Sequence, residues 1–243
     1  MITISPGHWR IGSGAKDIID EVGQARRVVD RVAQLLTMHN VPTTKIEDNV
    51  SQSQSENLRY LIRQHNATKR KVDVSIHFNA SNGRMQKGIG TEVLYYDALS
   101  LATTMSKGIS DASGLKNRGA KQRKELTFLR DTKMPAILIE VCFVNSMEDV
   151  KCYEQHFEAI CTEIASVLAK FVGFAWNDDG RKLAFSTIAL TEKVDDLLKD
   201  NEWKRQVIDK GIEMDAFSPV WRTRQVNDLD FLGLCAMLAK KII

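Results

Sequence analysis

Apolar and polar positions along the first two-thirds of the chain switch repeatedly between a strand-like and a helix-like period. Ile2-Thr3-Ile4 is a short β-branched run that stops at Pro6-Gly7 and reads as a first strand. From Asp20 onward Val22, Ala25, Val29, Val32 and Leu36 recur at three- and four-residue intervals, the spacing that stacks side chains on one face of a helix. That helix is expected over about 20–39, closing at His39-Asn40 with Pro42 just beyond. A second helix is predicted from Ser55 to His65-Asn66, because Ser53-Gln54-Ser55-Glu56 offers a capping side chain and a carboxylate in the first turn. Val72–His77 and Thr91–Tyr96 read as strands, Ser100–Ser110 as a third helix and Cys152–Phe171 as one long final helix. Ala136-Ile137-Leu138-Ile139, directly after Pro135, is the most apolar run. Its lack of alternation predicts a central strand covered on both faces.

This succession predicts an α/β layer domain over residues 1–175. The pattern then changes. Asn177-Asp178-Asp179-Gly180-Arg181-Lys182 is polar and contains glycine, so a linker is expected at 176–182. Residues 183–243 read as a small helical domain, with helices at Leu183–Lys199, Trp203–Gly211 and Asp228–Lys240. Trp203, Phe217, Trp221 and Phe231 are dense aromatics for so short a segment. A three-helix mini-core, a recognition surface and a homo-oligomerisation element all remain open for them.

Composition narrows the class without naming a function. An apolar fraction of 43% and a charged fraction of 27% over 243 residues suit a globular chain and exclude collagen-like or disordered readings. No apolar run approaches the ~20 residues of a membrane helix, so no membrane insertion is expected. Met1-Ile2-Thr3-Ile4-Ser5 has neither a basic nor a long apolar leader region, which predicts no secretory signal and synthesis in the cytoplasm. The four cysteines form no CxxC pair and no disulfide framework. Residues 1–176 carry 23 Lys and Arg against 19 Asp and Glu, too even a balance for a nucleic-acid binder. The one concentrated cluster is Lys116 to Lys124, five cations without an acid, expected as a solvated loop or a face toward an anionic partner.

Three metal-competent residues stand at predicted strand ends: His8 just past the first, His77 ending Val72–His77, and Glu140 ending Ala136–Glu140. In open α/β sheets the carboxyl ends of strands meet at the ligand crevice. Glu21 opens the first helix thirteen residues after His8, where the intervening loop can return it to the same place. Two histidines and a carboxylate with an open fourth position form a catalytic zinc set. Zinc polarises a carbonyl and activates water, and a further carboxylate moves the proton to a leaving nitrogen. A lone histidine at a strand end is more often a satisfied hydrogen-bonding residue. A carboxylate ending the most apolar strand is different, because unpaired it costs several kcal/mol. Cys142 with His156 raises a cysteine-hydrolase reading, against which stands the commoner buried, inert cysteine. His39 and His65 are explained by placement at helix C-termini, each before an asparagine in the left-handed cap.

Ser5-Pro6-Gly7-His8, Glu21, Val74-Ser75-Ile76-His77-Phe78-Asn79-Ala80 and Ile137-Leu138-Ile139-Glu140-Val141-Cys142 resemble, in order and separation, the signature blocks of zinc-dependent N-acetylmuramoyl-L-alanine amidases of the amidase-3 type. Gly90-Thr91-Glu92-Val93-Leu94-Tyr95-Tyr96 and Asn117-Arg118-Gly119-Ala120-Lys121 are similar to the catalytic domains of bacteriophage endolysins within it. The resemblance covers residues 1–173. It implies a twisted, mostly parallel sheet of about six strands flanked by helices, one Zn²⁺ held by His8, Glu21 and His77, and Glu140 as the catalytic carboxylate. It further implies Arg118 lining the substrate groove, and cleavage of the amide between N-acetylmuramic acid and L-alanine in the peptidoglycan of a Gram-positive wall, reached after release from the cell. Asn79, two residues after His77 and on the same side of an extended chain, is read as a substrate contact, with ligand orientation or a structural role as alternatives. Where many members read Gly-His-Gly-Gly, this chain has Gly7-His8-Trp9-Arg10, which alters the groove beside the ligands. A sporulation autolysin, a non-catalytic wall-binding protein and a zinc peptidase or deacetylase stay open as alternatives.

Overall fold

Between Met1 and Trp176 each run marked as a strand joins one six-stranded sheet. The structure is a computed structural model and describes residues 1–176, 200–214, 216–218, 231, 234 and 235. The strands are β1 (Ile2–Pro6), β2 (Thr43–Lys45), β3 (Val72–Asn79), β4 (Thr91–Tyr95), β5 (Asn117–Gln122) and β6 (Ala136–Phe143). Their spatial order is β2-β1-β3-β6-β4-β5. Four of the five neighbouring pairs are parallel, and β4 runs antiparallel to β6. The expected mostly parallel sheet of about six strands is therefore the architecture found. The helices of this unit are α1 (Glu21–Met38), α2 (Gln54–Ala67), α3 (Leu99–Ser113), α4 (Thr127–Asp131), α5 (Met147–Gln155) and α6 (Phe157–Phe171).

The central strand behaves as its composition dictates. Ile137 and Ile139 enter the large core that also holds the apolar faces of α1, α3 and α6. Ala136 and Leu138 enter a smaller core with Phe128 and Leu129 of α4 and Leu58 and Ile62 of α2. Side chains alternate between the two faces of a strand, so Glu140 follows Leu138 onto the α2/α4 face. Glu92 shares that face with Leu94 on β4. Each fully buried isoleucine contributes roughly 1.5–3 kcal/mol, which anchors the strand that carries Glu140.

Several elements differ from the sequence reading. Glu140 lies inside β6 rather than at its end, because Val141, Cys142 and Phe143 continue the strand. The Lys116–Lys124 cluster is not a loop: Asn117–Gln122 is the exposed edge strand β5, and cations on an edge strand oppose pairing with another chain. The long final helix is two, α5 and α6, parted at His156 (φ −118°, ψ 21°). Its true start is signalled by Ser146, whose side chain accepts the Asp149 N–H, with Glu148 and Asp149 in the first turn. Asn40 does take the left-handed conformation, at φ 56°, and His39 stacks on Trp176 at 3.7 Å. Asn66 lies within α2 instead.

The chain divides into two compact units, Met1–Asn177 and Asp178–Ile243. In the second, α7 (Asn201–Glu213) starts at Asp200, whose side chain accepts the Glu202 and Trp203 N–H groups at 2.9 Å each. Ile208, Phe217, Phe231 and Leu234 form its core, and Trp203 meets Phe231 edge-on at 5.1 Å. Three of the four aromatics thus pack with one another. Trp221, the linker from 177, the helix read at 183–199 and most of that read at 228–240 lie outside the described residues.

Candidate metal centre and active site

His8, Glu21 and His77 arrive from three elements, and backbone contacts bring them together. Beyond Pro6 the Gly7 N–H still donates to the Ile76 carbonyl at 3.0 Å, so β1 stays joined to β3 up to His8. Gly7 is required by that approach: a Cβ there would lie 1.9 Å from the His77 ring. The following loop is closed by Glu21 at both ends. Its N–H donates to the Ala15 carbonyl at 2.9 Å, and its Oε2 accepts the Ala15 N–H at 2.7 Å. Gly14 passes under the carboxylate, where a Cβ would come within 2.6 Å of Oε2.

One carboxylate oxygen gathers the rest. Glu21 Oε1 lies 3.2 Å from His8 Nε2 and 3.0 Å from His77 Nδ1, and accepts the Phe78 N–H at 3.1 Å. Burial alone would push the Glu21 carboxyl up. Hydrogen bonds from His77 and His8, and the attraction of the two rings, override it and hold the group far below the usual carboxylate range. The position at the first turn of α1 adds the favourable end of the helix dipole.

These atoms fit a metal ion. The three ligand atoms all lie within 4.8 Å of one another. Two atoms each ~2.0–2.1 Å from a tetrahedral zinc would stand roughly 3.3 Å apart, close to the 3.0 and 3.2 Å found at Glu21 Oε1. Both histidines expose less than a fifth of their side chains, and the ionised carboxylate that the surroundings of Glu21 favour is the form that ligates.

Glu140 completes the site from the next strand. It pairs in register with His77 on one side and Glu92 on the other, so His77, Glu140 and Glu92 form one row across β3, β6 and β4. The residue is half-buried, yet Oε2 is sealed from water and has no hydrogen-bond partner. Burial first, then the neighbouring charges of Glu21 and Glu92, pushes its carboxyl up to about 8. A buried oxygen without a partner beside three converging ligand atoms makes Glu140 a candidate proton carrier.

Asn79 and Arg118 both reach this row through Glu92. Asn79 Nδ2 donates to Glu92 Oε1 at 3.1 Å and its Oδ1 accepts the Ala80 N–H at 2.8 Å. Arg118 Nε donates to Glu92 Oε2 at 2.7 Å. Glu92 itself was not singled out from the sequence. In Thr91-Glu92-Val93 it reads as the polar, outward position of an alternating strand, and only the neighbouring strand, β6, gives it a buried place.

Two other arrangements have the composition of a site without its access. Ser5 Oγ, His65 Nε2 and Nδ1, and Asp73 Oδ1 form a chain of 3.0 and 2.7 Å contacts, the connectivity of a nucleophile, base and acid. All three residues are fully buried, and Arg70 clamps Asp73 through two bonds of 2.8 Å. The chain fastens α2 to β1 and β3, which replaces the helix-end explanation of His65. Cys142 is buried with its thiol pushed well up by burial, while His156 sits 3.9 Å from Cys152 Sγ instead. The cysteine-hydrolase pairing is not formed.

Residues 2–170 match the family model described as N-acetylmuramoyl-L-alanine amidase. An uncharacterized protein of Clostridium perfringens (strain 13 / Type A) is 34% identical over 161 residues, covering 63% of this chain and 47% of that protein. The endolysin of Bacillus phage SPP1 is 29% identical over 164 residues, covering 61% of this chain and 56% of its own. The chain thus spans about half the length of these curated relatives. Among solved structures, the catalytic domain of an endolysin targeting Clostridia Difficile superposes with a TM-score of 0.62 at 26% identity, covering 72% of this chain and 98% of that one. The N-acetylmuramoyl-L-alanine amidase AmiC2 of Nostoc punctiforme gives 0.60 at 26% identity, covering 70% and 96%. The matched span runs from the first strand into the last helix of the sheet-bearing unit and includes every residue of the site: the chain belongs to the N-acetylmuramoyl-L-alanine amidase family.

Proposed function

We propose that this chain is a zinc-dependent peptidoglycan amidase, and that it serves a bacteriophage or prophage as an endolysin against a Gram-positive wall. The observation that carries the catalytic reading is the juxtaposition of three converging ligand atoms with the partnerless Glu140 Oε2 one strand away. His8, Glu21 and His77 hold the ion. Bound there, Zn²⁺ supplies Lewis acidity to the scissile carbonyl and acidity to a water molecule. Glu140 then does the proton work: its carboxylate accepts the proton of the attacking water and returns it to the amide nitrogen of L-alanine as the C–N bond breaks. Without a metal the carboxyl is pushed up to about 8; a cation on the three ligands would favour its ionised form, which is the form that accepts a proton. Asn79 and Arg118 border the substrate, Asn79 through the amide it shares with Glu92 and Arg118 through the free end of its guanidinium. The similarity to two endolysins supports the lytic role, with synthesis in the cytoplasm preceding access to the wall. The unit from Asp178 onward serves wall recognition or self-association.

The test compares the full chain with Glu140→Gln on purified Gram-positive wall. We expect one zinc per chain in both proteins. The parent releases new L-alanine amino termini without new reducing sugars, at a rate about 10²–10⁴ times that of the variant. Full activity in Glu140→Ala would refute the assignment of the proton carrier. Free acetate, or cleavage within the stem peptide, would refute the bond assigned.

A further inference from the structure

The strongest unassigned feature is the cluster that Glu92 organises beside Glu140. Glu92 is buried, with 6% of its surface exposed, and accepts from Asn79 through one oxygen and from Arg118 through the other. The pairing of β4 with β5 carries an irregularity at this spot. Thr91 faces Asn117 and Val93 faces Ala120, so Arg118 and Gly119 together oppose Glu92. Bulges are rare in parallel pairs and re-aim side chains beside active sites. This one is fixed by Gly119 at φ 80° and by the Gly119 N–H donating to Asn117 Oδ1 at 2.8 Å.

The bulge leaves Arg118 held on two sides and open on the third. Its Nε is bound to Glu92, and its guanidinium carbon lies 5.1 Å over the Phe143 ring. The side chain remains 34% exposed, and among the described residues Nη1 and Nη2 have no protein partner. A guanidinium held at Nε and over a ring, its terminal nitrogens without a protein partner among the described residues, can take a planar oxyanion through two parallel hydrogen bonds. It sits within two strand spacings of Glu140, roughly 10 Å. One or two peptide residues at ~3.3–3.6 Å each, with a side chain, cover that distance.

We infer that Glu92, Arg118 and the Phe143 ring form a carboxylate receptor that makes the enzyme discriminate a free carboxylate from a carboxamide on the stem peptide, one or two residues beyond the scissile bond. Arg118 is the contact residue, and Glu92 is a positioning residue that acts through it. The inference rests on the amidase reading above. A carboxamide lacks both the charge and the second acceptor, so it cannot fill the fork.

The experiment uses two synthetic muramoyl peptides that differ only in carboxylate or carboxamide at the residue following L-alanine. The KM ratio is measured on the full chain, and the Kd ratio on Glu140→Gln protein, which needs no turnover. Both ratios are expected to favour the carboxylate by roughly tenfold to a hundredfold. Arg118→Lys keeps a charge but loses the fork, and its ratio falls most of the way to one. Glu92→Gln reduces the ratio as well, an effect that a general loss of structure would not produce, since it would weaken both peptides alike. Equal handling of the two peptides by the parent, or a preference unchanged in Arg118→Gln, overturns the inference. Absence of cleavage of both peptides counts against the amidase reading alone, because the Kd ratio still decides this one.

Discussion

The two sides of the active site handle a buried carboxylate in opposite ways. On the β1/β3 side Glu21 is saturated: two imidazoles and two backbone N–H groups surround its oxygens, and it stays ionised. On the β6/β4 side Glu140 has a sealed, partnerless oxygen and two carboxylates nearby, and it keeps its proton to about pH 8. In the proposed reading the first side would hold a cation in place and the second would carry a proton. A low-dielectric site makes both arrangements strong, and neither residue type alone predicts which will result. The environment assigns the role.

The sharpest way to break this division is at Gly7. Gly7→Ala places a Cβ 1.9 Å from the His77 ring, so the ring must leave its position against Glu21. Displacing a ligand in this way should weaken zinc binding by at least the roughly 10–100-fold typical of supporting residues, read by titration of metal-free protein against a competing chelator. Gly14→Ala places a Cβ 2.6 Å from Glu21 Oε2 and 2.8 Å from the His8 ring, a milder overlap than the 1.9 Å at Gly7, and should weaken binding less. An order reversed between the two variants would mean that the His77 ring is not the less forgiving neighbour.

The Glu140 side is tested by pH. In metal-free protein both the folded and the unfolded chain are protonated at Glu140 below its ordinary value of 4.5. Between 4.5 and about 8 the unfolded chain releases the proton while the folded one retains it, so stability falls as pH rises through this window and levels off above it. Glu140→Gln lacks that slope. Its Tm relative to the parent should rise by several degrees from pH 5 to pH 8.5, given ~2–4 °C per kcal/mol for a chain of this size. A saturating divalent cation should shrink the gap by stabilising the ionised carboxylate. A Tm difference that is flat with pH would show that Glu140 is solvated like a surface residue.

The same contrast explains what the sequence disclosed. His8, Glu21 and His77 were legible because each is tied to a local signal: Pro6-Gly7 ending a strand, Asp20 starting a helix, the close of a β-branched run. Glu140 was legible by contradiction, as a carboxylate inside the most apolar run. Glu92 carried no such contradiction, because its surroundings come from β6 and β5, far off in sequence. Strand β5 was hidden for a related reason: an edge strand rich in lysine, arginine and glycine has the composition of a loop, and only pairing with β4 makes it a strand. The break at His156 has no glycine or proline to announce it. His65 lay where a helix-end histidine is expected, and only tertiary contact shows it bridging Asp73 and Ser5.

The smallest effect asks what holds the cation side rigid. Asp20 caps α1 by accepting the Val22 and Gly23 N–H groups at 3.1 and 3.2 Å, and Glu21 is the next residue. Asp20→Ala should cost about 1 kcal/mol of stability, a shift of ~2–4 °C in Tm. Zinc affinity should nevertheless change by less than about threefold, within the ~0.5 kcal/mol of a site left unperturbed, because the Glu21 oxygens are fixed by the Ala15 and Phe78 N–H groups rather than by the cap. Calorimetry and zinc titration on the same variant separate the two quantities. If affinity fell as far as in Gly7→Ala, the helix start would be what orients the carboxylate. The hydrogen bonds around Glu21 would then follow from its placement rather than determine it.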